Sequence, residues 1–302
     1  MEIGMDVAET GSEPVTAFVL AGGGSLGAVE VGMLLALMEW GERPVFLVGA
    51  SAGAINAVLF AAQPTLDGAL RMASIWQGVR RRDVFPVKLS GVVSGIFGGS
   101  GHLVSSEGLR HLLGRHLPYS RLEDALLPVH VVATDVLSGR EVVLSRGSAI
   151  NSVLASTAIP GVFSPVMIDG HLLVDGGLSN NTPISVAVAK GAKRVIVLPT
   201  GFACARRAGA EGVVPRAMHA ISMLIASQLL RDAEHWHNSH IELRIVPSIC
   251  PLRTSPYDFT ETSELISRAH VSTQAWLERG GLEVAEIPKQ LGLHHHFSSA
   301  SH

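Results

Sequence analysis

The stretch that most constrains this chain is Gly49-Ala50-Ser51-Ala52-Gly53, set between an apolar run, Val45-Phe46-Leu47-Val48, and a helical run, Ala54-Ile55-Asn56-Ala57-Val58-Leu59-Phe60-Ala61. A strand that turns through Gly-x-Ser-x-Gly straight into a helix has the form of a nucleophile elbow. The sharp turn lifts the serine hydroxyl clear of the backbone, and small neighbours admit a substrate or another chain segment. The first N–H groups of the following helix point back at the turn, where negative charge would develop during acyl transfer. A plainer alternative stands beside this one, with Ser51 merely capping a glycine-rich helix entry.

The residues upstream fix the fold class. Thr16–Ala21 reads as a buried strand, Gly22-Gly23-Gly24-Ser25-Leu26-Gly27 as a loop, and Ala28–Trp40 as a helix ended by Gly41. Pro44–Val48 is then a second strand leading into the elbow. Strand, helix, strand, helix implies an α/β fold with a largely parallel sheet and helices on both faces. Further helices are expected over 66–77, 106–117, 150–158, 183–190, 216–236 and 261–279. Further strands are expected over 128–134, 141–145, 194–199 and 241–247, with a hairpin of 165–168 and 171–174 turning at Asp169-Gly170.

With 302 residues, 47% of them apolar, the chain can bury a sizeable core. Residues 16–290 are expected to form one domain between a loose leader, 1–15, and a tail, 291–302. A net charge of -3 offers no basic surplus for nucleic acid. Cys204 and Cys250 form neither a zinc spacing nor a disulfide framework, so a reducing, cytoplasmic setting is the default expectation. The start lacks the basic region and apolar core of a signal peptide, and no apolar stretch reaches membrane-spanning length. Attachment to a membrane surface stays open, and oligomeric state is not legible. His294-His295-His296 makes no preformed metal site, and no metal is expected.

Two readings compete for the glycine loop. Gly22, Gly24 and Gly27 fit G-x-G-x-x-G, the form of a dinucleotide fingerprint. Glu42 lies 20 residues after Gly22, but before the second strand, whereas a ribose-binding acid belongs at that strand's carboxyl end. The other reading is an oxyanion hole, in which successive glycine N–H groups face a concavity beside the elbow. A serine nucleophile also needs a base. Of the 14 histidines none is marked out by its context, and His171 lies near the start of the strand that ends at Asp175. Asp175-Gly176-Gly177 closes an apolar strand, a position from which catalytic carboxylates project. Asp175 as base and Asp175 as structural turn or cap both remain open. The segment 87–101 is apolar and glycine-rich, and reads as a cover over an acyl pocket, a lipid-touching surface or an irregular buried connection; the helix over Met218–Leu230 also permits such a pocket.

Taken in order, the loop Gly22–Gly27, the elbow Gly49–Gly53 and Asp175-Gly176-Gly177 resemble the patatin-like phospholipases, their bacterial members in particular. Ala133-Thr134-Asp135-Val136-Leu137-Ser138-Gly139, Ala155 to Pro165 and Leu178-Ser179-Asn180-Asn181-Thr182-Pro183 look like that family's connecting segments, so the resemblance spans about residues 16–200. It implies a three-layer α/β/α domain around a mostly parallel sheet. It also implies a serine acyl hydrolase acting on lipid esters, of phospholipase A or lysophospholipase type, without a catalytic histidine. Ser51 would be the nucleophile and Asp175 the base. Gly22, Gly23 and Gly24 would cradle the oxyanion, and Gly49 and Gly53 would shape the elbow. No cofactor is implied. The competing classes are a non-catalytic acyl- or lipid-binding module and a dinucleotide-dependent enzyme.

Overall fold

A computed structural model describes residues 14–84, 104–201, 225, 227–252 and 254–291. The expectations placed on 1–13, 87–101, 202–224 and 294–296 lie outside them. Eight strands form one sheet: β1 (Thr16–Leu20), β2 (Phe46–Ala50), β3 (Val129–Asp135), β4 (Glu141–Leu144), β5 (Val166–Ile168), β6 (His171–Asp175), β7 (Arg194–Leu198) and β8 (Glu242–Ile245). β3, β2, β1, β7 and β8 run parallel as neighbours in that order, while β4 and β6 lie antiparallel to β3, and β5 to β6.

The central strands are buried on both faces, which explains why they read as continuous apolar runs rather than alternating ones. Phe18, Leu20, Leu47, Val131 and Ile196 point into one core. Ala17, Val19, Val48, Val132 and Val195, one residue out of phase, point into the other. Each large side chain so buried contributes roughly 1.5–3 kcal/mol of hydrophobic stabilisation. The first face carries α1 (Gly27–Trp40), α2 (Ala52–Ala62), α3 (Leu66–Gly78), α4 (Glu107–His116), α5 (Ala149–Ser156) and, outside them against α1, α8 (Thr262–Glu278). The second carries α6 (Ile184–Ala189) and α7 (residues 227–237). The expected three-layer arrangement around a mostly parallel sheet is the one observed. No helix among the described residues is long and apolar enough to cross a membrane.

The pairing along β3 positions the site. One edge of β3 pairs with β4 over Val131–Thr134. The opposite edge is shared by two strands meeting head to head. Parallel β2 ends with Ala50 opposite Val132, and antiparallel β6, arriving from the other direction, ends with Asp175 opposite Ala133. The turn that sends β6 down this edge is Asp169-Gly170, with both residues at positive φ (48° and 82°), as a tight two-residue hairpin requires.

One expectation about the acyl pocket needs correction. The described part of the 216–236 helix packs Leu229, Ala233 and Trp236 on the second face. The apolar cleft that opens at Ser51 lies on the first, so that part of the helix does not line it.

Candidate active site

Ser51 follows directly on β2 and precedes α2, at φ 52° and ψ -121°. A non-glycine residue held there costs about 1–3 kcal/mol and persists only when its surroundings enforce it. Those surroundings are visible. The Ser51 N–H donates to Ser156 Oγ at 2.8 Å, and Ser156 in turn donates to the Val132 carbonyl on β3. Gly53 packs its α-carbon so close to β1 that an added methyl would stand 2.2 Å from the Leu20 carbonyl oxygen. Gly49, paired with Leu20 and Val131, faces the Gly53 carbonyl in the same way. A bulkier residue at either position would push α2 off the sheet.

The Ser51 side chain does not cap α2. Its Oγ donates instead to Asp175 Oδ2 at 2.8 Å, across 124 residues of sequence. The other carboxylate oxygen, Oδ1, accepts the Gly177 N–H at 2.8 Å. Asp175 is buried, and desolvation raises its pKa to about 6 from 3.8, against the opposing pull of the Gly177 and Ser51 donors. A carboxylate with that pKa is ionised at neutral pH yet basic enough to take a proton. His171 and His130 are turned elsewhere, to Asp135 Oδ2 (3.1 Å) and Ser145 Oγ (2.7 Å).

The glycine loop lies beside this pair. An added β-carbon on Gly22 would come within 3.0 Å of Ser51 Cβ. The three expected oxyanion glycines are not equivalent. The Gly22 N–H is taken by the Asn181 carbonyl at 3.0 Å, and its own carbonyl accepts from Asn181 Nδ2 and Thr200 Oγ1. That leaves the Gly23 and Gly24 N–H groups without an acceptor among the described residues. Gly24 has φ +59°, and a β-carbon there would meet the Pro256 carbonyl at 2.4 Å, so both conformation and space demand glycine. The dinucleotide reading fails on Glu42. Its carboxylate grips Arg194 in a bidentate ion pair at the amino end of the parallel strands, the opposite end from the loop.

Gly24, Ser51 and Ala52 stand in one apolar cleft. Ile55 and Leu59 line it from α2, Ile75 and Trp76 from α3. Beneath the cleft runs a buried polar chain. Trp76 Nε1 donates to Asn56 Oδ1 at 2.8 Å, and Asn56 Nδ2 donates to the Gly27 carbonyl and to Glu30 Oε2. It ties the helix after the glycine loop, the helix after the elbow and the cleft wall together.

Ser156, Asn181, Asn56 and Glu30 were not singled out from the sequence. The last two had a signal: a polar residue inside each of two otherwise apolar helical runs, Ala28–Met38 and Ala54–Ala61. Ser156 and Asn181 act through backbone groups of remote segments, and no local pattern marks that.

A family model described as patatin-like phospholipase matches residues 18–188. Patatin-like phospholipase domain-containing protein 7 of Mus musculus is 33% identical over 188 residues, covering 61% of this chain and 13% of that protein. An uncharacterized NTE family protein of Mycobacterium tuberculosis is 33% identical over 174 residues, covering 58% of this chain and 46% of the other. The chain thus matches less than half the length of either relative. Human GIVD cytosolic phospholipase A2, solved with methyl gamma-linolenyl fluorophosphonate inhibitor and terbium chloride, superposes with a TM-score of 0.52 at 13% identity. That superposition covers 90% of this chain and 59% of the other, and is a likeness of fold.

Proposed function

The chain belongs to the patatin-like phospholipase family, and from that premise we propose that it is a serine acyl hydrolase cleaving carboxylic esters of lipids through a Ser51–Asp175 dyad. The observation that carries the reading is the 2.8 Å bond from Ser51 Oγ to a buried Asp175 at the head of an apolar cleft. Ser51 Oγ attacks the ester carbonyl while its proton passes to Asp175 Oδ2. The oxygen that becomes negative is held by the Gly23 and Gly24 N–H groups, donors of a kind worth about 3–4 kcal/mol each. The tetrahedral intermediate collapses, the alcohol or lysolipid leaves with the proton from Asp175, and an acyl-serine remains. Water, deprotonated by the same carboxylate, then releases the fatty acid and restores Ser51.

A binding module without turnover needs the cleft but not a donor–acceptor pair of this length, so the geometry favours the enzyme. Contact with a lipid surface belongs to the same proposal. Exposed Val136 and Leu178 flank a groove that shares Phe163 with the cleft, and exposed Leu137 and Met167 lie in adjoining segments.

The direct test is mass spectrometry after reaction with a fluorophosphonate probe. Labelling is expected on Ser51 and is lost in Ser51→Ala. Hydrolysis of a p-nitrophenyl ester should vanish in Ser51→Ala and in Asp175→Asn with the fold retained. Labelling at another serine, or full activity in both variants, would sink the dyad.

A further inference from the structure

The acyl cleft has a defined track and a defined end. Ser51, Ile55 and Leu59 recur every four residues and lie along one stripe of α2, with Ile75 and Leu112 on the facing helices. The eight residue steps from Ser51 to Leu59 advance about 12 Å along the helix axis. One turn further the lining changes character. Ala62 at the end of α2 and Gln63 just after it meet Arg71 and Met72 of α3 and His116 at the end of α4, around a smaller recess that Leu59 and Ile75 border from the apolar side. Arg71 is held there by a 3.1 Å hydrogen bond to the His116 carbonyl. A methyl end arriving at this point would have to take part of the exposed Arg71 guanidinium and of the half-buried Gln63 out of water, which is costly.

We propose that this end wall is a chain-length gauge, Leu59 marking the last large apolar side chain that α2 gives the track and Gln63, Arg71 and His116 bounding it. The inference rests on the acyl-hydrolase reading and gives its substrate class: esters of medium-chain acids. With carbon–carbon bonds of about 1.5 Å, an extended chain advances roughly 1.25 Å per carbon. The 12 Å track therefore holds about eight to ten carbons counted from the carbonyl at Ser51. Asn56 fixes the Trp76 indole in the wall through its side-chain hydrogen bond, and the indole stacks on Phe259 at 6.4 Å, so the track is braced along its length.

The test is a series of p-nitrophenyl esters of increasing acyl length, presented in mixed micelles, run beside alkyl fluorophosphonates of matching lengths whose rate of Ser51 labelling reads the same track without turnover. Each buried methylene should raise kcat/KM by up to about fourfold, until the track is full near eight to ten carbons. Beyond that, kcat/KM and the labelling rate should fall, by about tenfold at the longest chains. Leu59→Phe should move the maximum to shorter chains, and Arg71→Met, a change at an exposed residue, should raise the long-to-medium ratio about tenfold. A profile flat or rising to the longest chain, unmoved by either variant, would overturn the gauge while leaving the hydrolase reading intact. Absence of both hydrolysis and Ser51 labelling at every length would overturn that reading and the gauge with it.

Discussion

The Ser51 hydroxyl donates to the Asp175 carboxylate across 2.8 Å, and burial raises that carboxylate's pKa to about 6. Only the ionised form can accept the serine proton. For a short p-nitrophenyl ester, kcat/KM should therefore climb about tenfold per pH unit below pH 6 and level off above it. A pH–rate profile from acid to mildly alkaline pH checks this. A midpoint near the ordinary aspartate value would mean that Asp175 is not the desolvated base described here.

The same burial makes Asp175 costly to the fold. Its folded pKa, about 6, lies above its ordinary 3.8, so the folded state favours the protonated form. The penalty is absent below pH 3.8, grows as pH rises and is complete above about 6. Asp175→Asn should thus be inactive and yet more stable at pH 8, by up to roughly 2–3 kcal/mol, with the gain vanishing in acid. Denaturant unfolding at both pH values measures it.

Ser156 never meets the substrate in this scheme and acts by holding the elbow. Ser156→Ala strips the Ser51 N–H of its acceptor, an expected loss of about 1–3 kcal/mol in stability. The displaced nucleophile should lower kcat about tenfold with little change in KM. Steady-state kinetics beside an unfolding curve separates this from a loss of folded protein, which would reduce active-site titre rather than kcat per labelled serine.

Glu30 is fully buried, and desolvation raises its pKa well above the ordinary 4.5, outweighing the help of Asn56 and the Ala21 backbone. Its stabilising protonated form is present at low pH and is lost as pH rises through the folded pKa. Glu30→Gln, a neutral mimic, escapes that penalty and should flatten the decline in stability that sets in as pH rises above the ordinary 4.5. Glu30→Ala leaves part of the Asn56 amide unpaired beside a cavity and should cost about 3 kcal/mol. Melting curves of the three proteins at rising pH distinguish the two effects.

Much of this was legible in the chain. The elbow and the glycine loop are local features, each set by a strand running into a helix, so neighbouring residues carry the signal. The tight hairpin at Asp169-Gly170 is likewise written in two residues. The placement of Asp175 was read from its position at the end of a strand, but by an incomplete route. β6 runs antiparallel to β3 and reaches the site from beyond the carboxyl edge, because it takes over the edge that β2 vacates. That sharing of an edge depends on register between remote segments, as do the Gly22–Asn181 bond that removes one expected donor and the Ser156 brace. The apolar cleft, too, is a surface assembled from α2, α3 and α4, and no single stretch spells it.

The meeting of β2 and β6 on β3 also bears on how the protein can fail. Side chains alternate along a strand, so sliding β6 by one residue would turn its last carboxylate to the far side of the sheet while leaving most of the core buried. A chain so slipped keeps Ser51 at the elbow but loses its carboxylate partner. The fraction of molecules that titrate with an active-site probe is therefore a measure of folding fidelity for this chain, and not of its chemistry alone.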